Sequence, residues 1–357
     1  MPDQQSDRKP AVRIAGRPVG SHYPTFVVAE AGVNHDGCVE TALRMVDAAA
    51  NAGADAVKFQ MFRAQDLATK SAPTAAYQRK NSGEQSQRDM LERLELSMEA
   101  FGRIQRHCEA QNILFLATPF GPADVDRLVR LGVSAIKIAS TDLTNLPLLE
   151  AAASTRLPMI VSTGAATEDE IRKAVDQLQG LGAAERLILL HCVSAYPTPV
   201  EAANLRAIRA LHDALGLPTG LSDHTTSVAM GGLAVAAGAC VVEKHFTLDA
   251  DASGPDHFMS LSADQLAKYV DGVREADAAM GTAALGMTQI ESGVREVARK
   301  SVVAAVDIAA GCSIEAEMLT LKRPGTGIAP AELAQLVGRT SLVDIPPDTM
   351  LSWEMIR

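Results

Sequence analysis

Residues 219–246 read TGLSDHTTSVAMGGLAVAAGACVVEKHF, and this stretch decides the fold. A short apolar run, Thr219 to His224, stops in polar residues, and a second run, Cys240 to Phe246, stops in the same way. Short apolar runs bounded by turn formers are what buried parallel strands look like, and the spacing between these two leaves room for one crossover. Working outward, comparable runs stand at Phe26 to Gly32, Ala56 to Gln60, Ile113 to Pro119, Ala135 to Ser140, Pro158 to Thr163 and Leu187 to Ser194, which makes eight. Between and after them lie amphipathic helical stretches such as Val39 to Ala52, Glu168 to Gln179, Leu205 to Leu215 and Ala263 to Met280, and AGAD, LGVS and LGLP supply turns into the next strand. Eight β/α units in series predict an α/β fold, a parallel (β/α)8 TIM barrel. A doubly wound open sheet is the alternative, but no glycine fingerprint follows the first strand. Val12 to Val19 predicts a small hairpin closing the barrel bottom.

Helical patterning stops near Gly281, and Thr282 to Glu296 carries little periodic signal. The expected division is therefore a tail and hairpin over 1–20, the barrel over 21–281, a linker over 282–298 and a small β-rich module over 299–357. That module shows the alternating runs SVVAAVDI, MLTLKRP and TSLVDI and a helical turn or two at Pro330 to Val337. Roughly 60 residues make a marginal core, so the module is expected to dock against something.

The formal charge of -10 argues against a general nucleic-acid or anionic-membrane binder, because the bulk field repels polyanions; an anionic small substrate would need local lysines. Five scattered cysteines without CxxC spacing read as reduced thiols. The opening MPDQQSDRKP has no signal-peptide core and no run approaches the ~18 residues of a membrane span, so a cytoplasmic protein is expected.

Catalysis on such barrels gathers at the carboxyl ends of the strands, and every run here ends in polar residues. In order these are Glu30; Lys58 and Gln60; Thr118; Lys137, Ser140 and Asp142; Ser162 and Thr163; His191, Ser194 and Tyr196; Ser222, Asp223 and His224; Glu243, Lys244 and His245. Residues two apart share a strand face, so Lys58 goes with Gln60, Ser222 with His224, and Glu243 with His245. In a closed barrel the last strand pairs with its predecessor and with the first, which sets His224, His245 and Glu30 on adjacent strands roughly 5 Å apart. Two imidazoles with open positions suit a catalytic cation, since a structural zinc normally has four protein ligands. The plainer reading makes each histidine a hydrogen-bonded polar residue at a strand end. Lys58 and Lys137 need an anion inside a barrel: either Glu30 or Glu243, or a phosphate or carboxylate of a substrate. His191 stands open between an inward third ligand and a hydrogen bonder at the core edge. Asn34 and His35 stand between ordering the first loop and touching substrate, and Lys244, on the face opposite His245, pairs at the surface or the barrel wall.

AEAGVNHDG, AVKFQ, ATPF, KIAS with Asp142, STGA, HCVSAYPTP, SDHT, EKHFTLD and GPDHFMS occur in the order and spacing of the N-acetylneuraminate (sialic acid) synthase family, and KRPGTGI leads into a module that resembles its SAF, or antifreeze-like, β-clip domain. The resemblance covers about residues 15 to 357. It implies condensation of phosphoenolpyruvate with an open-chain N-acylamino sugar and water, giving a nine-carbon 2-keto sugar acid and phosphate. N-acetylmannosamine is the preferred sugar; the alternative is a legionaminic or pseudaminic acid synthase acting on a bis-acetamido dideoxy hexose. The resemblance further implies a divalent cation on His224 and His245, manganese first with magnesium or cobalt as alternatives, and Glu30 as the acid/base that manages the attacking water. Lys58, Thr118, Lys137, Ser140, Ser162, Ser194, Tyr196 and Ser222 would surround phosphoenolpyruvate. Gln60, Asp142 and Asp256 resemble sugar contacts, and Arg323 resembles the arginine that the SAF domain extends into a partner's barrel, so a domain-swapped homodimer is implied. Some relatives carry asparagine at the Ser194 position, which puts that one contact in question. Two other classes remain as alternatives: a Schiff-base aldolase using Lys58 or Lys137, and a non-catalytic carbohydrate-binding protein.

Overall fold

A hairpin of β1 (Val12–Ile14) and β2 (Arg17–Val19) precedes eight strands: β3 (Phe26–Gly32), β4 (Ala56–Met61), β5 (Leu114–Pro119), β6 (Ile136–Ile138), β7 (Met159–Ser162), β8 (Leu187–Cys192), β9 (Thr219–Asp223) and β10 (Val241–Thr247). The structure, a computed structural model, describes residues 11–74 and 86–357. It divides into two compact units, Met1–Gly281 and Thr282–Arg357. Of the expected tail, residues 1–10 lie outside the described residues.

The eight strands are parallel and hydrogen-bonded in the order β5-β4-β3-β10-β9-β8-β7-β6, while β5 and β6 lie side by side across the remaining seam. The barrel is nearly closed. As the sequence predicts, β10 pairs with both β9 and β3. A two-residue strand, β11 (Leu261–Ser262), pairs in parallel with the end of β10 at Phe246 and Thr247.

Side-chain alternation splits the apolar residues into two cores. Phe26, Val28, Ala56, Leu116, Ala135, Ile160, Ile188, Leu190 and Val241 fill the interior together with Val12, Ile14 and Val19 of the hairpin. Val27, Val57, Phe59, Ile136, Ile138, Leu189 and Val242 face outward and pack on the helices. Helix Val39–Asn51 shows why: Ala42, Met45, Val46 and Ala49 recur at helical spacing and are all buried. Helix Ala263–Met280 begins at a capping box between Ser262 and Gln265 and buries Leu266, Tyr269, Val270 and Val273. The inward face of each strand is apolar at its start and polar at its end, which fixes where chemistry can occur.

In the second unit β12 (Ser301–Ala304) pairs antiparallel with β13 (Leu319–Lys322). Val302, Ile308, Ile314, Leu336, Ile345, Leu351 and Ile356 form its core, each contributing about 1.5–3 kcal/mol if fully withdrawn from water. The run TSLVDI makes only isolated bridges, and Pro330–Gln335 is 3-10 rather than α. Where the sequence reads as a linker, a two-turn helix forms at Ser292–Ala298. The apolar residues of this helix and of the stretch before it are exposed: Leu285, Met287, Ile290, Val294 and Val297 bury little against their own unit.

Candidate active site

The polar strand ends converge on a chain of charges. Glu30 lies 2.7 Å from Lys58, which also donates to the Thr118 hydroxyl at 3.0 Å. Glu243 stands between the two inward lysines, 3.7 Å from Lys58 and 3.7 Å from Lys137, and accepts from Ser222 at 2.9 Å. Lys137 donates to Ser162 at 2.8 Å and to the carbonyl of Ile138 at 2.9 Å. Both lysines, Glu30 and Glu243 are at most 5% exposed. The protein's own carboxylates thus hold the lysines, and Glu243, named beforehand only as a possible counter-ion, is the hub.

Burial pushes the Glu30 carboxyl up to about 7, with Lys58 opposing and Glu243 adding to the rise. Glu243 goes the other way: burial alone would raise it, but Lys137 and Lys58 together outweigh that and keep it ionised. Burial lowers Lys58 too, yet Glu243 and Glu30 turn the balance upward; for Lys137 burial wins and the shift is down. Two carboxylates in one pocket pushed apart in this way are what acid/base division requires.

Beside the charges stand the histidines, with ring centroids 5.6 Å apart. The register explains their placement: His245 pairs with Glu30 across β10 and β3, whereas the β9–β10 ladder ends at Asp223 and Lys244, leaving His224 one residue beyond. A carbonyl only accepts, so His224 Nδ1 donates to the oxygen of Val193 at 2.9 Å and Nε2 is left for another partner. Burial pushes the His245 imidazolium far below its usual range, and among the described residues its Nδ1 has no hydrogen-bond partner. A neutral ring with an uncommitted nitrogen, beside one whose other nitrogen is tied to a carbonyl, is the donor set a divalent transition metal favours. Among the described residues no group of three or more His, Cys, Asp or Glu side chains is arranged for a metal, so water and substrate would complete the coordination.

The remaining candidates fall around this centre. The Tyr196 ring lies tilted against His224 with centroids 4.4 Å apart, and Ser140 and Ser194 share a hydroxyl contact at 3.3 Å. A β-carbon on Gly164 would lie 2.5 Å from the Ser194 hydroxyl and 2.8 Å from the Cys192 sulfur, so only glycine fits beneath them. A bulge between Glu30 and Gly32 turns the backbone (Gly32 φ +55°) and leaves Gln60 Nε2, Glu30 Oε1 and His245 Cε1 each 3.5 Å from the point its β-carbon would take. Asp256 is buried and raised by that burial to about 6, although His224 and His257 oppose. Asp142 is held by Asn145 at 2.8 Å in a short 3-10 segment after β6. Arg323 is exposed on the second unit.

Strand alternation places His191 and Lys244 on the outer wall, while Asn34 and His35 stand in the first loop. His191 lies between Leu190, an inner-core residue, and Cys192; it faces outward with Leu189 and hydrogen-bonds to the carbonyl of Ala203 at 2.9 Å, so it is no third ligand. His35 packs on Phe59 outside the barrel and Asn34 donates to the Phe246 carbonyl and to Ser260: both order the first loop. Lys244 pairs at the wall with Asp223. Cys192 lies inside the site, its sulfur 3.8 Å from His224 Nδ1 and 4.0 Å from the Ser140 hydroxyl.

A barrel with cationic and imidazole groups converging at its strand ends is an enzyme architecture, and the comparisons specify which. The NeuB family model matches residues 45–284 and the SAF domain model residues 299–357. The chain is 40% identical to the N,N'-diacetyllegionaminic acid synthase of Legionella pneumophila over 95% of its length and 97% of that protein. It is 34% identical to the human N-acetylneuraminate-9-phosphate synthase, over 96% and 95%. Among solved structures, the N-acetylneuraminic acid synthetase of Leptospira borgpetersenii superposes with a TM-score of 0.72 at 35% identity, covering 80% of this chain and 94% of that one. The chain belongs to the NeuB family of sialic acid synthases and carries a SAF domain.

Proposed function

We propose that the protein condenses phosphoenolpyruvate with the open-chain form of an N-acylamino sugar, releasing phosphate and forming a nine-carbon 2-keto sugar acid. One observation carries this: two buried lysines, three hydroxyls and two histidines meet at the strand ends beside a carboxyl whose pKa stands near neutrality. Phosphoenolpyruvate supplies two anionic groups, which answer Lys58 and Lys137 and would loosen their hold on Glu30 and Glu243. Thr118, Ser140, Ser162, Ser194, Tyr196 and Ser222 complete its surroundings. Gln60, Asp142 and Asp256 face the sugar. His224 and His245 would hold a divalent cation, manganese in the first instance, which when bound polarises an aldehyde oxygen as a Lewis acid. Glu30, ionised above about pH 7, takes a proton from the water that attacks C2.

For the sugar, the relatives named as N,N'-diacetyllegionaminic acid synthases, at 40% and 39% identity, favour a bis-acetamido dideoxy hexose. N-acetylmannosamine is the second reading, favoured by the relatives named for N-acetylneuraminate. Phosphate release from phosphoenolpyruvate with each sugar, followed by the product mass, decides between them; release with neither removes the proposal. Lys137, lowered by burial, is the one feature favouring an aldolase, and borohydride trapping of a substrate adduct would establish that instead.

If Glu30 is the base, kcat/KM rises with pH through about 7, where its carboxyl ionises. Glu30→Gln should lower the rate by roughly 10²–10⁴-fold and abolish that limb of the profile. A slow variant with the same pH dependence would assign the ionisation to another group.

We propose a homodimer in which the SAF domain of one copy covers the barrel of the other, with Arg323 reaching the sugar's acyl group. The exposed stripe of Leu285, Ile290, Val294 and Val297 supports a second copy as its cover. Arg323→Ala should raise the sugar KM far more than the phosphoenolpyruvate KM; equal rises would make the module only a dimer stabiliser. A cytoplasmic setting belongs to the same reading: among the described residues no helix is long and apolar enough to cross a membrane.

A further inference from the structure

We propose that the buried ion pair of Asp223 and Lys244 is a clamp that positions His224 at its spacing from His245; the inference rests on reading the two histidines as metal donors. Both charged groups face the outer wall of the barrel, opposite the histidines, with side chains 1% and 0% exposed and 3.0 Å apart. Apart from the Tyr269 phenol, which stands against Asp223, their neighbours on that wall are apolar: Leu221 on β9, Val242 and Phe246 on β10, and Leu266, Val270 and Val273 of helix Ala263–Met280. A buried ion pair adds little stability over well-packed apolar residues of similar volume, so stability is a poor account of this one.

Its contacts give a better account. The β9–β10 ladder ends on the rung that joins Asp223 to Lys244. His245 is still held on its other side by the pairing with Glu30, but His224 lies past the last rung of β9. There the backbone turns, and the pair holds the residue that follows His224, Thr225, by both of its backbone groups. Asp223 Oδ1 accepts from the amide of Thr225 at 2.8 Å, and Lys244 Nζ donates to the carbonyl of Thr225. His224 is the residue between. Lys244 also lies 5.8 Å from the centre of the Tyr269 ring, for which Gly231 makes room: a β-carbon there would stand 2.7 Å from the ring. Asp223, Lys244 and Tyr269 are therefore positioning residues, acting through the 223–225 turn on an imidazole that none of them touches.

The test is Mn2+ titration calorimetry on the metal-stripped full-length protein, alongside histidine 15N NMR and thermal melts. Lys244→Met and the apolar pair Asp223→Leu/Lys244→Met are both made, because the double variant leaves no unpaired charge and is expected to remain folded, with the melts reading the cost of the two Thr225 hydrogen bonds it gives up. Clamp residues predict Mn2+ affinity about 10- to 100-fold weaker in the folded double variant, with phosphoenolpyruvate affinity unchanged. A double variant with parental Mn2+ affinity overturns the clamp whatever its melting temperature. Should the parent itself take up no Mn2+, the metal reading fails, and the NMR decides the clamp alone: a displaced His224 signal beside an unmoved His191 signal upholds it, and a parental His224 signal overturns it.

Discussion

His245→Ala is expected to abolish metal-dependent phosphate release, with a loss of roughly a thousandfold or more, because Lewis-acid activation supplies several kcal/mol of transition-state stabilisation. His245 is buried and neutral, and among the described residues its Nδ1 has no hydrogen-bond partner. Its removal leaves one imidazole of the pair. His224→Ala should act alike on metal affinity, with an added cost in Tyr196, whose ring packs on it at 4.4 Å. The measurement is phosphate release across a Mn2+ titration together with direct metal binding. A variant of either histidine that keeps parental activity and parental Mn2+ affinity would sink the ligand assignment.

Lys58→Met should be the most destabilising single change in the barrel, by about 3–5 kcal/mol at pH 8, because it strips a buried carboxylate of its partner. Glu30 lies 2.7 Å from the ammonium and Glu243 3.7 Å, and each is nearly inaccessible to water. The sign of the pH dependence follows from Glu30. Its carboxyl already stands near 7 with Lys58 beside it, and without that cation it moves higher. Below its pKa the group is neutral and needs no counter-charge, so the penalty should shrink towards pH 6 and grow towards pH 8. Urea midpoints of parent and variant at the two pH values measure this directly. A penalty equal at both would show that Glu30 is not the group left exposed to the loss.

Much of this was legible beforehand because it is periodic or terminal. The barrel followed from counting apolar runs, and its polar mouth followed from where each run stops. The step of two residues along a strand paired Lys58 with Gln60 and Glu243 with His245, and strand adjacency set His245 beside Glu30. What escaped were relations across several strands. Glu243 as the hub of both lysines depends on β4, β6 and β10 facing one interior point, and the contact of Cys192 with His224 depends on the register of β8 against β9, which sets Cys192 opposite Ser222. Neither has a signal in spacing.

By itself, the sequence determined the eight-unit barrel, the second module and the identity of the groups at the mouth, since hydrophobic period and strand termini are local properties of the chain. Only the tertiary structure decided which way His191 points, that the lysines are held by the protein's own carboxylates, and that His224 hangs one residue past its ladder on a turn gripped from behind. Those are matters of register and desolvation. A one-residue shift reverses a side chain's face, and burial sets which of two carboxyls stays charged, so both are settled only when the strands have closed around them.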